Sequence, residues 1–213
     1  GLGGFFGNYA DVTVDDGRID VTEFARRSEL QEANLENRAF CTACDEELLA
    51  RYGPFGFNTG PDGSFGASGW QNLTMPAHFP YIAEATQDLY PQNGGNPIDG
   101  VIVMDPYVIQ ALMKYTGPID IAEFDIIVEP DNAAQFILED QYLLAAEDDG
   151  SGNIDNVERV DALGTLGDEV ISRLLTGSLP EPPELAKDLG PLVDERRLLV
   201  WTDNEDEQDL FDR

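Results

Sequence analysis

Arginine is the residue type in this chain best suited to hold an anion. Arg18, Arg26, Arg27 and Arg38 follow one another within a short stretch near the start. A guanidinium presents a planar fork of N–H donors that matches phosphate or carboxylate, and it stays charged at any physiological pH. Just upstream, glycines at positions 1, 3, 4 and 7 leave the main chain uncovered, so that a ligand or another element can approach it closely. If Arg18, Arg26 and Arg27 gather beside Gly3 and Gly4, they form a positive pocket in an acidic molecule. A phosphate or pyrophosphate group is then the natural guest. The competing reading is a set of surface arginines, each neutralised by its own Asp or Glu. The glycine pattern is not Gly-x-x-x-x-Gly-Lys-Ser/Thr and carries no lysine, which excludes a nucleotide P-loop.

Other groups have chemistry of their own. Asp105 stands where an apolar strand hands over to a helix, a position at which α/β folds gather ligands, and it is a candidate metal ligand. Capping the helix that Pro106 opens is a sufficient role by itself. The only histidine, His78, sits between Pro76 and Pro80 with no Gly-x-Ser-x-Gly nucleophile to serve, and reads as a loop histidine rather than a base. Cys41-Thr-Ala-Cys44 is the only cysteine pair. With one histidine it leaves a zinc site a ligand short. As a redox motif it would need a lowered thiol pKa, which Asp45, Glu46 and Glu47 oppose. A short structural disulfide in an oxidising compartment is the preferred reading. Asp149, Ser151, Asn153 and Asp155 alternate like the first half of a calcium loop, but Ile154 and Val160 stand where that loop requires Gly and Glu. A solvated insertion is therefore expected. Asn72-Leu-Thr74 matches a glycosylation triplet.

Elements must hold these groups in place. The Asp15-Asp16-Gly17 turn, between runs in which Val12, Val14, Ile19 and Val21 alternate, predicts a hairpin over residues 6–24. Residues 25–38 read as a polar loop with a partial helix, and residues 45–52 as a short helix. The Gly/Pro/aromatic run from Gly53 to Gly69 is long for a compact domain and reads as a functional loop. A helix is predicted over 81–90 and a strand over 100–104. Another helix covers 106–115, with Val108, Ile109, Leu112 and Met113 on one face and Gly117-Pro118 as its stop. A strand at 124–128 then leads to an Asp131-capped helix over 133–146. Helices over 157–175 and 184–193, a strand over 197–201 and an acidic helical end complete the chain. Strands alternating with helices, without a composition break or internal repeat, predict one layered α/β domain over residues 1–213, its central mixed sheet flanked by helices.

The totals narrow the partners. There are 42 acidic against 12 basic residues, a formal −30, which disfavours nucleic acid and anionic membrane as direct partners. No apolar run is long enough to span a bilayer, and no signal peptide is visible. The start at Gly1-Leu2-Gly3, without an initiator Met, reads as a trimmed ectodomain whose membrane anchor lies upstream.

Several segments together carry a resemblance. They are Gly3-Gly-Phe-Phe-Gly-Asn-Tyr9 with Asp16-Gly-Arg18, Tyr52-Gly53, Trp70-Gln-Asn-Leu-Thr74 with Pro76 and Phe79-Pro80, Asp99-Gly-Val-Ile-Val-Met-Asp-Pro106, Gly117-Pro118, Gln141-Tyr142 and Leu198-Leu-Val-Trp201. In order and spacing the chain resembles a bacterial family, frequent in actinobacteria, known as domain of unknown function 4012. The resemblance implies an extracytoplasmic, envelope-associated domain anchored by an N-terminal helix, with no established activity. More distantly, the order of strand, helix, Gly-Pro turn and strand is similar to the LytR–CpsA–Psr phosphotransferases. Those enzymes move a glycopolymer from a polyprenyl pyrophosphate carrier to the wall, using arginines, acidic residues and often Mg²⁺. That likeness implies a LytR–CpsA–Psr-like fold, with Gly3, Gly4, Arg18, Arg26 and Arg27 on phosphate and Asp105 on a metal. No Ser-x-Pro-Arg-Asp-like segment is present. The expectation is a domain that binds or transfers a prenyl-phosphate-linked glycopolymer. The alternative is a non-enzymatic domain that binds wall polymer or a protein through the aromatic loop Phe55 to Trp70.

Overall fold

The computed structural model describes residues 2–15, 18–143, 156–177 and 180–211. In chain order its elements begin with strands β1 (Asn8–Asp15) and β2 (Arg18–Arg26), then helices α1 (Arg27–Asn37), α2 (Glu46–Tyr52), α3 (Gly69–Asn72) and α4 (Phe79–Gln92). Strand β3 (Gly100–Met104), helix α5 (Pro106–Thr116) and strands β4 (Ile119–Ile121) and β5 (Ile126–Val128) follow. Helix α6 (Ala133–Gln135) runs into a π-helical turn at Phe136–Asp140. Helices α7 (Asn156–Thr176) and α8 (Pro182–Asp194), strand β6 (Leu198–Thr202) and helix α9 (Glu205–Phe211) close the described chain.

The fold is mixed α/β, as its alternating patterns predict, but the sheet differs from expectation. In place of one central mixed sheet, the described strands form three two-stranded sheets: β1 with β2, β3 with β6, and β4 with β5. The strand, helix, strand run over β3, α5 and β4 is therefore not a unit of one sheet. Strand β4 pairs antiparallel with its near neighbour β5, matching Ile119 to Val128 and Ile121 to Ile126. Closing that short connection costs less chain entropy than a crossover would. The hairpin forms as predicted, and its turn at residues 16–17 lies outside the described residues, as does the calcium-like run at residues 147–155.

Contacts gather into two compact units: Gly1–Asp11 with Ala25–Val103 and Leu199–Arg213, and Val12–Phe24 with Met104–Leu198. Each has its own apolar core.

In the first unit, the stretch expected to be mostly loop is the eleven-residue helix α1. Only Leu30 and Asn34 of this helix are buried, too thin a stripe to read as amphipathic. Asn34 earns its core position by donating to the Phe65 carbonyl at 2.9 Å and accepting from the Ala39 N–H at 3.2 Å. Helix α2 starts where its sequence says, the Asp45 carboxylate accepting from the Leu48 N–H at 2.7 Å. The largest departure is the Gly/Pro/aromatic run. Phe57, Phe65 and Trp70 are the centre of the core, at 1%, 2% and 1% exposure, and meet edge to face at 5.7 and 5.6 Å. Its glycines permit this packing. Gly56 has φ +121°, and a Cβ there would strike the Gly69 backbone; a Cβ on Gly69 would strike the Phe65 ring. Val101, Val103, Leu199 and Trp201 pack against the same core.

In the second unit, α5 lies over Ile119, Ile121, Val128, Phe136 and the Ala162, Leu166 and Val170 face of α7. Its limits are those predicted: Asp105 accepts from the Tyr107 N–H at 2.9 Å, and Gly117 ends it at φ +76°. Asn132 rather than Asp131 is the N-cap residue of α6. Asp131 is passed over because Asn132 holds the turn, accepting from the Glu129 N–H at 3.0 Å. No helix of the described residues is long and apolar enough to cross a membrane.

Candidate functional site

The glycine-rich start is fastened by its backbone. The Gly3 N–H donates to the Thr74 carbonyl at 2.7 Å, and the buried Thr74 hydroxyl donates to the Gly4 carbonyl. Only Gly3, at φ +92°, needs to be glycine for its conformation. A Cβ at Gly3, Gly4 or Gly7 would meet nothing within 4 Å, so the glycines do not serve packing there; their free side is open. The Gly7 carbonyl in turn accepts from the Arg27 N–H at 2.9 Å, which ties the first turn of α1 to this segment.

Arg27 differs from the other arginines around it. Its side chain is half-buried, its Nη1 donates to the neutral Gln31 amide at 2.6 Å, and its Nε is buried without a partner among the described residues. No carboxylate of the described residues lies within ion-pair distance of it. Burial pushes its pKa down, because removing water disfavours the charged form. A guanidinium taken partly from water and paired with a neutral amide has the chemistry to accept a further, anionic partner. Arg26 sits beside it in sequence, its N–H donating to the Glu29 carboxylate at 3.2 Å, an ordinary first-turn cap.

The remaining predicted arginines behave as the competing reading had it. Arg18 is exposed and held by Asp20 at 2.9 Å. Arg38 faces Asp62 at 3.5 Å, and the Asp62 carboxyl is held below its usual range, chiefly by a hydrogen bond from Ser64. Such exposed pairs contribute little to stability. Gly3, Gly4, Arg26 and Arg27 thus share the first unit, while Arg18 lies in the second with its own acid.

Asp105, at the carboxyl end of β3, is committed elsewhere. Besides capping α5, it accepts from Arg197 at 2.8 Å, and the Arg197 guanidinium lies 4.0 Å above the Tyr107 ring. Glu195 takes the other side of Arg197 at 2.6 Å. Hydrogen bonds from Arg197 to Glu195 and then to Asp105 raise its pKa. These donors do not fit Mg²⁺: a cation already occupies the carboxylate, and no three His, Cys, Asp or Glu side chains of the described residues gather to hold a metal. The candidate metal role of Asp105 gives way to the ion pair. Arg197 itself was not singled out in the sequence, since its partner lies far along the chain.

Cys41 and Cys44 form the disulfide, with Cα atoms 5.3 Å apart. The loop it closes is docked on α4 by Asp88, whose carboxylate accepts from the Thr42 N–H, from the Thr42 hydroxyl at 3.0 Å and from the Ala43 N–H at 3.1 Å. Gln92 completes the attachment by pairing with both the N–H and the carbonyl of Phe40 at 2.9 Å. His78 is exposed and stacks on Tyr81 at 4.7 Å, a surface role. The Asn72 amide donates to the Phe55 carbonyl at 2.6 Å and Thr74 is buried, so that triplet is not presented as a glycosylation acceptor. The aromatic loop does not present its rings as a patch, because Phe57, Phe65 and Trp70 face inward and Phe55 alone of the four is exposed, at 44%.

One comparison with known proteins gives an assignment. The family model "Protein of unknown function (DUF4012)" matches residues 1–142. No curated protein and no solved structure matches the chain. The family match spans well over half of the 213 residues and includes the glycine-rich start, Arg27, the disulfide and Asp105. This chain belongs to the DUF4012 family.

Proposed function

We propose that this domain binds a phosphate-bearing glycopolymer, or the polyprenyl phosphate that carries it, on the extracytoplasmic side of the cell envelope. One observation carries the reading: Arg27, half-buried and tied by its backbone N–H to the glycine segment, has only a neutral amide for a side-chain partner among the described residues. A phosphate reaching the guanidinium would supply the negative charge that its amide partner does not. The uncovered backbone at Gly3 and Gly4 would allow close approach. The disulfide supports an oxidising compartment. Kinship with the LytR–CpsA–Psr phosphotransferases belongs to the same proposal and rests on the order of strand, helix and Gly117-Pro118 turn. Binding rather than transfer is favoured, because Asp105 is spent on Arg197.

Titration of the full chain with farnesyl pyrophosphate, with farnesol in parallel, tests the proposal. Saturable binding of the pyrophosphate and none of the alcohol is expected. Equal binding of both, or none of either, would overturn it.

A further inference from the structure

Residues 12–15 of β1 and 18–20 of β2 are all exposed. Val12, Val14 and Ile19 are among them, Val14 at 66%. Alternation puts Val12 and Val14 on one face of β1 and Thr13 and Asp15 on the other. Among the described residues no third strand pairs with this ribbon, so each of its strands is an edge. Along β2, residues 21–24 share a groove with α7. The open edge is that of β1, exposed on both faces over residues 12–15.

Such an edge is a template for any extended chain, and proteins close it with Pro, Lys, bulges or inward charges. Neither strand contains Pro, Gly or Lys. What guards this edge is charge of one sign. Over residues 12–24, Asp15, Asp16, Asp20 and Glu23 stand against Arg18 alone, and Arg18 is already held by Asp20 at 2.9 Å. A second copy, itself at a formal −30, is repelled, and so is an anionic membrane. An extended segment with basic residues between apolar ones meets neither obstacle. Its backbone would continue the ladder beside β1, its apolar side chains would cover Val12 and Val14, and its cations would face Asp15. We infer that the exposed edge of β1 docks a basic, alternating strand of a partner protein by β-augmentation. The inference rests neither on Arg27 nor on the phosphate reading.

The test is fluorescence anisotropy of the labelled peptide acetyl-Lys-Val-Lys-Val-Lys-Val-Lys-amide, titrated with the full chain at about 0.15 M salt. A second peptide, identical but N-methylated at every inner residue, keeps all the charges and removes the N–H donors of the ladder. Wild type should bind the first at least about tenfold more tightly than the second. Val12→Asp with Val14→Asp makes the ribbon more acidic, so attraction by charge alone would strengthen binding. Strand docking instead predicts a loss of at least about tenfold. Val12→Thr with Val14→Thr keeps the β-branched shape, circular dichroism confirming the fold, and should also bind more weakly than wild type. Equal binding of the two peptides, binding of neither, or binding undiminished in either variant would each overturn the assignment. So would a wild-type dimer in sedimentation, or attachment to phosphatidylglycerol vesicles, that Val12→Asp with Val14→Asp abolishes.

Discussion

Asp105 and Arg197 are joined twice. The Asp105 N–H donates to the Arg197 carbonyl at 3.1 Å, while the Arg197 guanidinium donates back to the Asp105 carboxylate at 2.8 Å. The link ties the start of α5 to the entry of β6. Asp105→Ala removes both the helix cap and the acid partner, and should cost about 1–2 kcal/mol, the range for losing an N-cap. Arg197→Met should also lower the urea midpoint, while Asp105→Asn, which keeps an acceptor for the Tyr107 N–H, should lose less than Asp105→Ala. Urea unfolding of the three variants checks this ordering, and equal midpoints for all of them and the wild type would refute it.

The aromatic run offers a sharper contrast. Phe65→Ala opens a cavity at the centre of a core and should cost about 3–5 kcal/mol. Phe55→Ala, ten residues away in the same run but exposed, should stay within about 0.5 kcal/mol of wild type. Thermal unfolding of both decides whether this segment is core or contact surface.

The disulfide loop should respond to reduction. Cys41→Ser with Cys44→Ser is expected to cost about 2 kcal/mol, the chain-entropy figure for so short a loop. Asp88→Ala, which strips three hydrogen bonds from the same loop, should destabilise in the same direction. A reducing agent should lower the melting temperature of wild type and leave the double serine variant unmoved.

One pH dependence follows from Tyr115 and Asp188, whose side chains meet at 2.8 Å. The Tyr115 hydroxyl, donating to Asp188, is the main reason that the carboxyl is held below its ordinary value. The same bond is the main reason that the phenol is pushed up. For a depressed carboxyl, the stabilisation is present above the unfolded pKa and disappears as pH falls through the folded one. For a raised phenol it is intact below the unfolded pKa and disappears as pH rises through the folded one. The stability advantage of wild type over Tyr115→Phe should therefore be full near neutrality. It should shrink below about pH 4 and again above about pH 10. An advantage constant from acid to alkali would contradict the pairing.

How much of this was legible beforehand depended on whether a feature is local. The hairpin, the Asp105 cap, the stop at Gly117 and the Cys41–Cys44 bridge all involve residues close in sequence, and each formed as read. Strand partners were not legible, since alternation marks a strand without saying what it pairs with: β3 meets β6 from the far end of the chain. Helix α1 was hidden because a polar residue, Asn34, occupies one of its two buried positions. The aromatic run was misread since its burial has no period; it depends on backbones approaching at Gly56 and Gly69. At the proposed phosphate site the glycines and arginines were visible as types, but only coordinates separate Arg27, with no acid beside it among the described residues, from Arg18, which has one.

The most direct test is to titrate the wild type and Arg27→Gln with farnesyl pyrophosphate under identical salt. Loss of a charge-assisted fork should weaken binding by at least about tenfold, with the melting temperature kept or raised as a partly buried charge is relieved. Equal affinity in the two proteins would contradict the account.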